Sequence, residues 1–162
     1  MIEATRLVLF VVGNESRGDD GLGPALLTAI EPLLPVSARV IVDFQLQIEH
    51  ALELAEADLA LFIDAELRLQ EDYFFREIHA GGDRGVFSHA LSPMQVLAVF
   101  EEICAGPAPP AFALGIAARE FGLGSALSTE ACRSLAAARA FASRLLRATG
   151  VGNWRSLASK SR

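Results

Sequence analysis

The sequence predicts an α/β protein: one domain, a three-layer α/β/α sandwich on a mostly parallel sheet of about five strands. Three observations carry this expectation. Apolar runs of strand length alternate with segments of helical periodicity, the pattern of a parallel sheet covered on both faces. The chain has 162 residues, 52% of them hydrophobic and 21% charged, which suits one core and does not describe a disordered chain. Polar residues then gather just where the apolar runs stop, as expected at the carboxyl ends of parallel strands.

In order, residues 7–12 (LVLFVV) read as a buried first strand stopped by Gly13-Asn14. A helix follows from about Leu22 to Leu33, with Leu22, Ala25, Leu26, Ala29, Ile30 and Leu33 on one face and Pro35 closing it. Residues 38–43 (ARVIVD) form a second strand ending in an acid, 48–56 a helix, and 58–64 (DLALFID) a third strand, again ending in an acid. Residues 73–78 (YFFREI) read as a less regular edge strand, followed by a glycine-containing loop over 80–90. Ser92-Pro93-Met94-Gln95 is a helix start: serine caps, proline fits the first helical position and glutamine completes a capping box. That helix ends near Cys104, residues 111–117 form another strand, and Ser128 opens a long helix to about Arg147 with Leu135, Ala138, Ala142 and Leu145 facing inward. The domain is expected to span 1–149, with 150–162 a loose basic tail.

The formal charge is −6, from 14 Lys and Arg against 20 Asp and Glu. It is unevenly spread: every acid lies at or before Glu130, while seven basic residues and no acid follow. The basic residues lack interleaved aromatics, so no nucleic-acid partner is expected. Two cysteines without a CxxC spacing, Cys104 and Cys132, suggest core thiols in a reducing compartment, hence the cytoplasm. The apolar run at the start is too short for a membrane span or a signal peptide, so no membrane association is expected.

The first loop, Gly13 to Gly23, matches neither a dinucleotide GxGxxG nor a Walker loop, and its two central acids would repel phosphate. GNESRG is not a nucleophile elbow. Asp19 and Asp20 immediately precede a helix; one can cap it, which leaves the other for different work, and position alone does not separate them. Asp64 ends an apolar strand, His89 lies just before a capped helix, and Asp43 closes the second strand. A carboxylate after strand one, a carboxylate after strand three and a later histidine make an O/O/N set suited to a borderline divalent ion such as nickel or zinc.

Four segments carry a resemblance: VVGNESRGDDGLGP at 11–24, LFIDA at 61–65, FSHALSP at 87–93 and ALGIAAREFGLGSALS at 113–128. Together they resemble the hydrogenase maturation proteases, endopeptidases that trim the C-terminus of a nickel–iron hydrogenase large subunit. SRGDDGLGP and DFQLQIEHAL look most like the branch serving bidirectional, NAD-linked hydrogenases. Matched by motif, the family's metal-contacting residues fall on Asp20, Asp64 and His89. Two stretches depart from the family: Asp43 to His50 replaces a common Gly-Thr element, and Ala117-Ala118 stands where many members have Gln-Pro.

The resemblance implies a small α/β/α fold and a partner, the hydrogenase large-subunit precursor. It also implies an ion that is not the protein's own: nickel already installed in the precursor is read before the extension is cut. No tightly held ion is therefore expected in the free protein, which should act as a monomer. Asn14, Asp19 and Asp43 are expected to touch the substrate. Two other functions use the same O/O/N set: a metallohydrolase with its own divalent ion acting on a small substrate, and a non-enzymatic nickel-sensing chaperone.

Overall fold

The structure, a computed structural model, describes residues 4–82 and 90–160. The sheet has five strands: β1 (Leu7–Val12), β2 (Arg39–Asp43), β3 (Leu59–Leu67), β4 (Tyr73–Ile78) and β5 (Ala111–Ala118). Their order is β2-β1-β3-β5-β4; only β4, an edge strand, runs antiparallel to its neighbour. The helices are α1 (Leu22–Ile30), α2 (Pro93–Cys104), α3 (Thr129–Arg147) and α4 (Val151–Ser159). This is the expected α/β sandwich with five strands and two covering layers.

The central strands are apolar on both faces because both faces are covered. Leu7, Leu9 and Val11 of β1 join Leu61, Ile63, Leu114 and Ile116 in a core closed by α1, α3 and α4. Val8, Phe10 and Val12 point the other way, with Phe62 and Ala113, toward α2 and the short helix at Ile48–Leu54. The chain leaves β1 for β2 on one side and returns to β3 on the other. That reversal parts the loops that follow β1 and β3 and opens a crevice between them.

Several elements differ from the sequence expectation. The helix from Leu22 gives way at Glu31 to a 3₁₀ turn, Glu31–Leu33, because Pro32 has no N–H to continue the helical hydrogen-bond ladder. Residues 48–54 are 3₁₀, not α. β3 runs on to Leu67, so Asp64 sits within the strand, not at its end; pairing with β5 continues through Leu67↔Ala118. Within the stretch expected to be a loose tail, 151–159 form α4, and Trp154 is 0% exposed. Its indole N–H donates to the Leu145 carbonyl at 3.1 Å, and its ring stands edge-on to Phe75 and Phe112. Cys104 and Cys132, expected in the core, are both exposed. Among the described residues no helix is long and apolar enough to cross a membrane.

Candidate functional site

The first loop folds back on itself at Gly13. Its φ is +145°, and an added Cβ would collide with the Asp20 carbonyl oxygen. Only glycine permits that approach, and the Asn14 N–H uses it to donate to the same carbonyl at 3.1 Å. Asn14 Oδ1 accepts from Ser16 N at 2.9 Å. Asp20 is thereby held above the end of β1, in the 3₁₀ turn Gly18–Gly21 that leads into α1. Gly23 does a related job one turn later, since a Cβ there would strike the Val12 carbonyl.

The structure separates the adjacent acids. Asp19 is 0% exposed. Its carboxylate accepts from Arg119 N (2.8 Å), Glu120 N (3.2 Å), Ser128 N (2.6 Å) and Ser128 Oγ (2.8 Å). Burial alone would raise its pKa, but these hydrogen bonds prevail and hold it below the ordinary carboxylate value. Asp19 is therefore not the substrate contact expected of it. It lashes the first loop to the 119–128 segment and to Ser128, whose side chain caps α3. Asp20 is half-buried and keeps its side chain clear of that network. Burial raises its pKa, against the Asn14 N–H and the Arg17 charge.

Asp64 projects from the sheet face on the α2 side, in the alternation that puts Phe62 in the core below it. Its outer edge meets solvent, yet protein closes around the carboxyl. That crowding pushes its pKa up to about 7, opposed by the Ala65 N–H and reinforced by the charges of Asp20 and Glu66. The hydrogen bond from Ala65 N to Asp64 Oδ1 is 2.7 Å long. Two carboxylates, one from the turn after β1 and one from β3, thus share one crevice, each held above its ordinary pKa. Such a pair gains most from a proton or a cation placed between them.

Glu66 was missed in the sequence. Two positions beyond Asp64 in one strand, it shares Asp64's face, and that spacing was the available signal. His50 was also missed. It is nearly buried; its Nδ1 accepts from Gln47 N at 2.8 Å and its Nε2 lies 3.3 Å from Asp43 Oδ2. The Gln47-x-x-His50 spacing before a helix could have shown it as a capping residue. Asp43, expected as a substrate contact, is held by His50 and accepts from Phe44 N at 2.7 Å; its side chain stays partly exposed. Beside it, a groove of about 400 Å³ runs between Asn14, Leu27, Val42 and Phe44.

His89, the nitrogen ligand expected from sequence, lies outside the described residues. Among the described residues no three His, Cys, Asp or Glu side chains cluster closely enough to hold a metal ion. The two acids expected as oxygen ligands, Asp20 and Asp64, do come to one place. Their chemistry suits a divalent cation that brings further ligands of its own.

The fold and crevice define an α/β protein with paired acids at the point where the strand order reverses. No protein-family model matches the chain, and no curated protein matches it in sequence. Among solved structures it is similar to the hydrogenase maturating endopeptidase HybD from E. coli, at 18% identity and a TM-score of 0.68, over 90% of this chain and 94% of that one. It is similar to the [NiFe] hydrogenase maturation protease HycI from Thermococcus kodakarensis KOD1, at 21% identity and a TM-score of 0.67, over 89% and 94%. It is also similar to the hydrogenase 2 maturation peptidase from Thaumarchaeota archaeon SCGC_AB-539-E09, at 21% identity and a TM-score of 0.61, over 88% and 98%. The chain thus has, over nearly its whole length, the fold found in hydrogenase maturation proteases.

Proposed function

We propose that this chain is an endopeptidase that removes the C-terminal extension of a nickel-loaded hydrogenase large-subunit precursor. The observation that carries the reading is the crevice pair: Asp20 and Asp64, withdrawn from structural hydrogen bonding of the kind that occupies Asp19, in a fold that named maturation endopeptidases share. Asp20, Asp64 and His89 would contact the nickel that the precursor carries. That ion would polarise the scissile carbonyl. A carboxylate beside the scissile carbonyl would take the proton of an attacking water. The water oxygen bonds to the carbonyl carbon, the C–N bond breaks, and the proton passes to the leaving amine.

The SRGDDGLGP and DFQLQIEHAL stretches favour a precursor of the bidirectional, NAD-linked type, met in the cytoplasm by a monomeric protease. The test is to incubate the protein with metal-loaded and metal-free precursor and weigh the precursor intact. Loss of a C-terminal peptide from the loaded form alone is the expected result. Cleavage of both forms, or binding without cleavage, would overturn the reading.

A further inference from the structure

Arg76 has no part in the chemistry above, yet its surroundings give it one. The strand registers place Asp64, Gly115 and Phe74 side by side across β3, β5 and β4, so all three face the same way. Gly115 has no side chain, and the Phe74 ring fills the space: a Cβ there would overlap the ring. Phe74 therefore leans from the edge strand across β5 toward Asp64. Arg76, two residues on, shares that face, and its guanidinium lies over the Phe74 ring, 4.5 Å from the centroid. The arginine is exposed.

The acids near Arg76 in sequence are engaged elsewhere: Asp72 lies 3.4 Å from Arg133 and Glu77 2.7 Å from Arg155. Among the described residues no carboxylate forms an ion pair with Arg76. The register partner of Arg76 is Ala113, two residues below Gly115, so the guanidinium stacked on the ring is held away from the crevice acids Asp20, Asp64 and Glu66. A guanidinium fixed in that way is pre-organised to take a carboxylate from outside through paired hydrogen bonds.

We infer that Arg76, stacked on Phe74, is a specificity-determining residue that receives an acidic side chain of the peptide substrate close to the scissile bond. This rests on the endopeptidase reading. Two strand spacings and a two-residue step along the strand separate Arg76 from Asp64, about 12 Å between backbones, and an extended peptide advances about 3.3 Å per residue. The acidic side chain therefore lies within about four residues of the bond that is cut. Arg76 puts positive charge on the β4 side of Asp64, and Asp20 puts negative charge on the β1 side. That polarity fixes the direction in which the peptide lies.

The test is steady-state cleavage of metal-loaded precursor by wild type, Arg76→Gln, Arg76→Glu, Phe74→Tyr and Phe74→Ala, with thermal melts to show that each is folded. Arg76→Gln should raise KM about tenfold, the size of one charge-assisted hydrogen bond, with kcat unchanged. Arg76→Glu should do worse and recover when an acidic residue near the cut is changed to Lys in the precursor. Phe74→Ala should copy Arg76→Gln, and Phe74→Tyr, which keeps the stack, should match wild type. An unchanged KM for both arginine variants, alongside active wild type, overturns the inference and leaves the endopeptidase reading standing. Wild type inactive on loaded precursor overturns both.

Discussion

Asp19 and Asp20 are neighbours in the chain and opposites in chemistry, and the difference can be measured. Asp19 spends its carboxylate on four hydrogen bonds at zero exposure. Asp19→Asn turns an acceptor-only group into one that presents N–H toward other donors. We expect a loss of stability of about 2–3 kcal/mol, read by denaturant unfolding, whereas Asp20→Asn should unfold near wild type. Processing should show the reverse ranking: Asp20→Asn, Asp64→Asn and His89→Ala each abolish it in a folded chain, because asparagine keeps the size but not the charge that draws a cation. The pH response separates the acids again. Asp19 has a lowered folded pKa, so its stabilisation is present above the unfolded value and fades as pH falls through the folded one. Asp64 is raised from 3.8 to about 7. Its contribution is fully present below the unfolded value and is lost as pH rises through about 7. Asp64→Asn should therefore melt higher than wild type at pH 8, by a margin that narrows at pH 4. An equal margin at both pH values would show that the carboxyl is not perturbed by its surroundings.

Among the elements, those set by local pattern were legible and those set by tertiary contact were not. The apolar runs of β1 and β5 and the capping box at Ser92 and Gln95 announce themselves, because burial on both faces and cap hydrogen bonds have sequence signatures. β3 overran its expected end because Asp64 and Glu66 alternate with buried Ala65, and a polar residue in an open crevice reads as a strand stop. α4 was missed for a different reason. It has nine residues, no side-chain cap and little apolar character; a helix that short is stable only where tertiary packing holds it. Trp154 supplies that packing, inserted among Phe75, Phe112 and Leu145. Trp154→Ala should cost about 3–5 kcal/mol, a large share of the stability of a domain this size. Removing residues 150–162 should cost at least as much. A truncated chain that melts with wild type would mean that α4 merely rests on the core.

At the scale of the whole molecule, the site is assembled from residues far apart in sequence by the reversal of strand order between β1 and β3. The candidate acids Asp20 and Asp64 could be nominated because the sheet type fixes where strand ends and loops converge. The expected nitrogen ligand, His89, was nominated from its place just before the helix capped at Ser92, and the FSHALSP motif then matched it. The resulting set has a consequence for the free protein. Two carboxylates and one imidazole would supply three ligands, one fewer than a closed tetrahedral site. On the proposed reading the crevice also admits a folded protein surface, so water would compete for the ion on its outer side. A cation that arrives with its own ligands loses little on meeting Asp20 and Asp64, whereas a bare ion must be held by them with little help. Protein purified without added metal should therefore contain well under one equivalent of nickel or zinc by elemental analysis. A brief chelator treatment should not change its later activity on loaded precursor. One equivalent of an ion that resists chelator would point instead to a metallohydrolase with a resident metal. Asp20→Asn and Asp64→Asn would then have to lose that ion together with their activity.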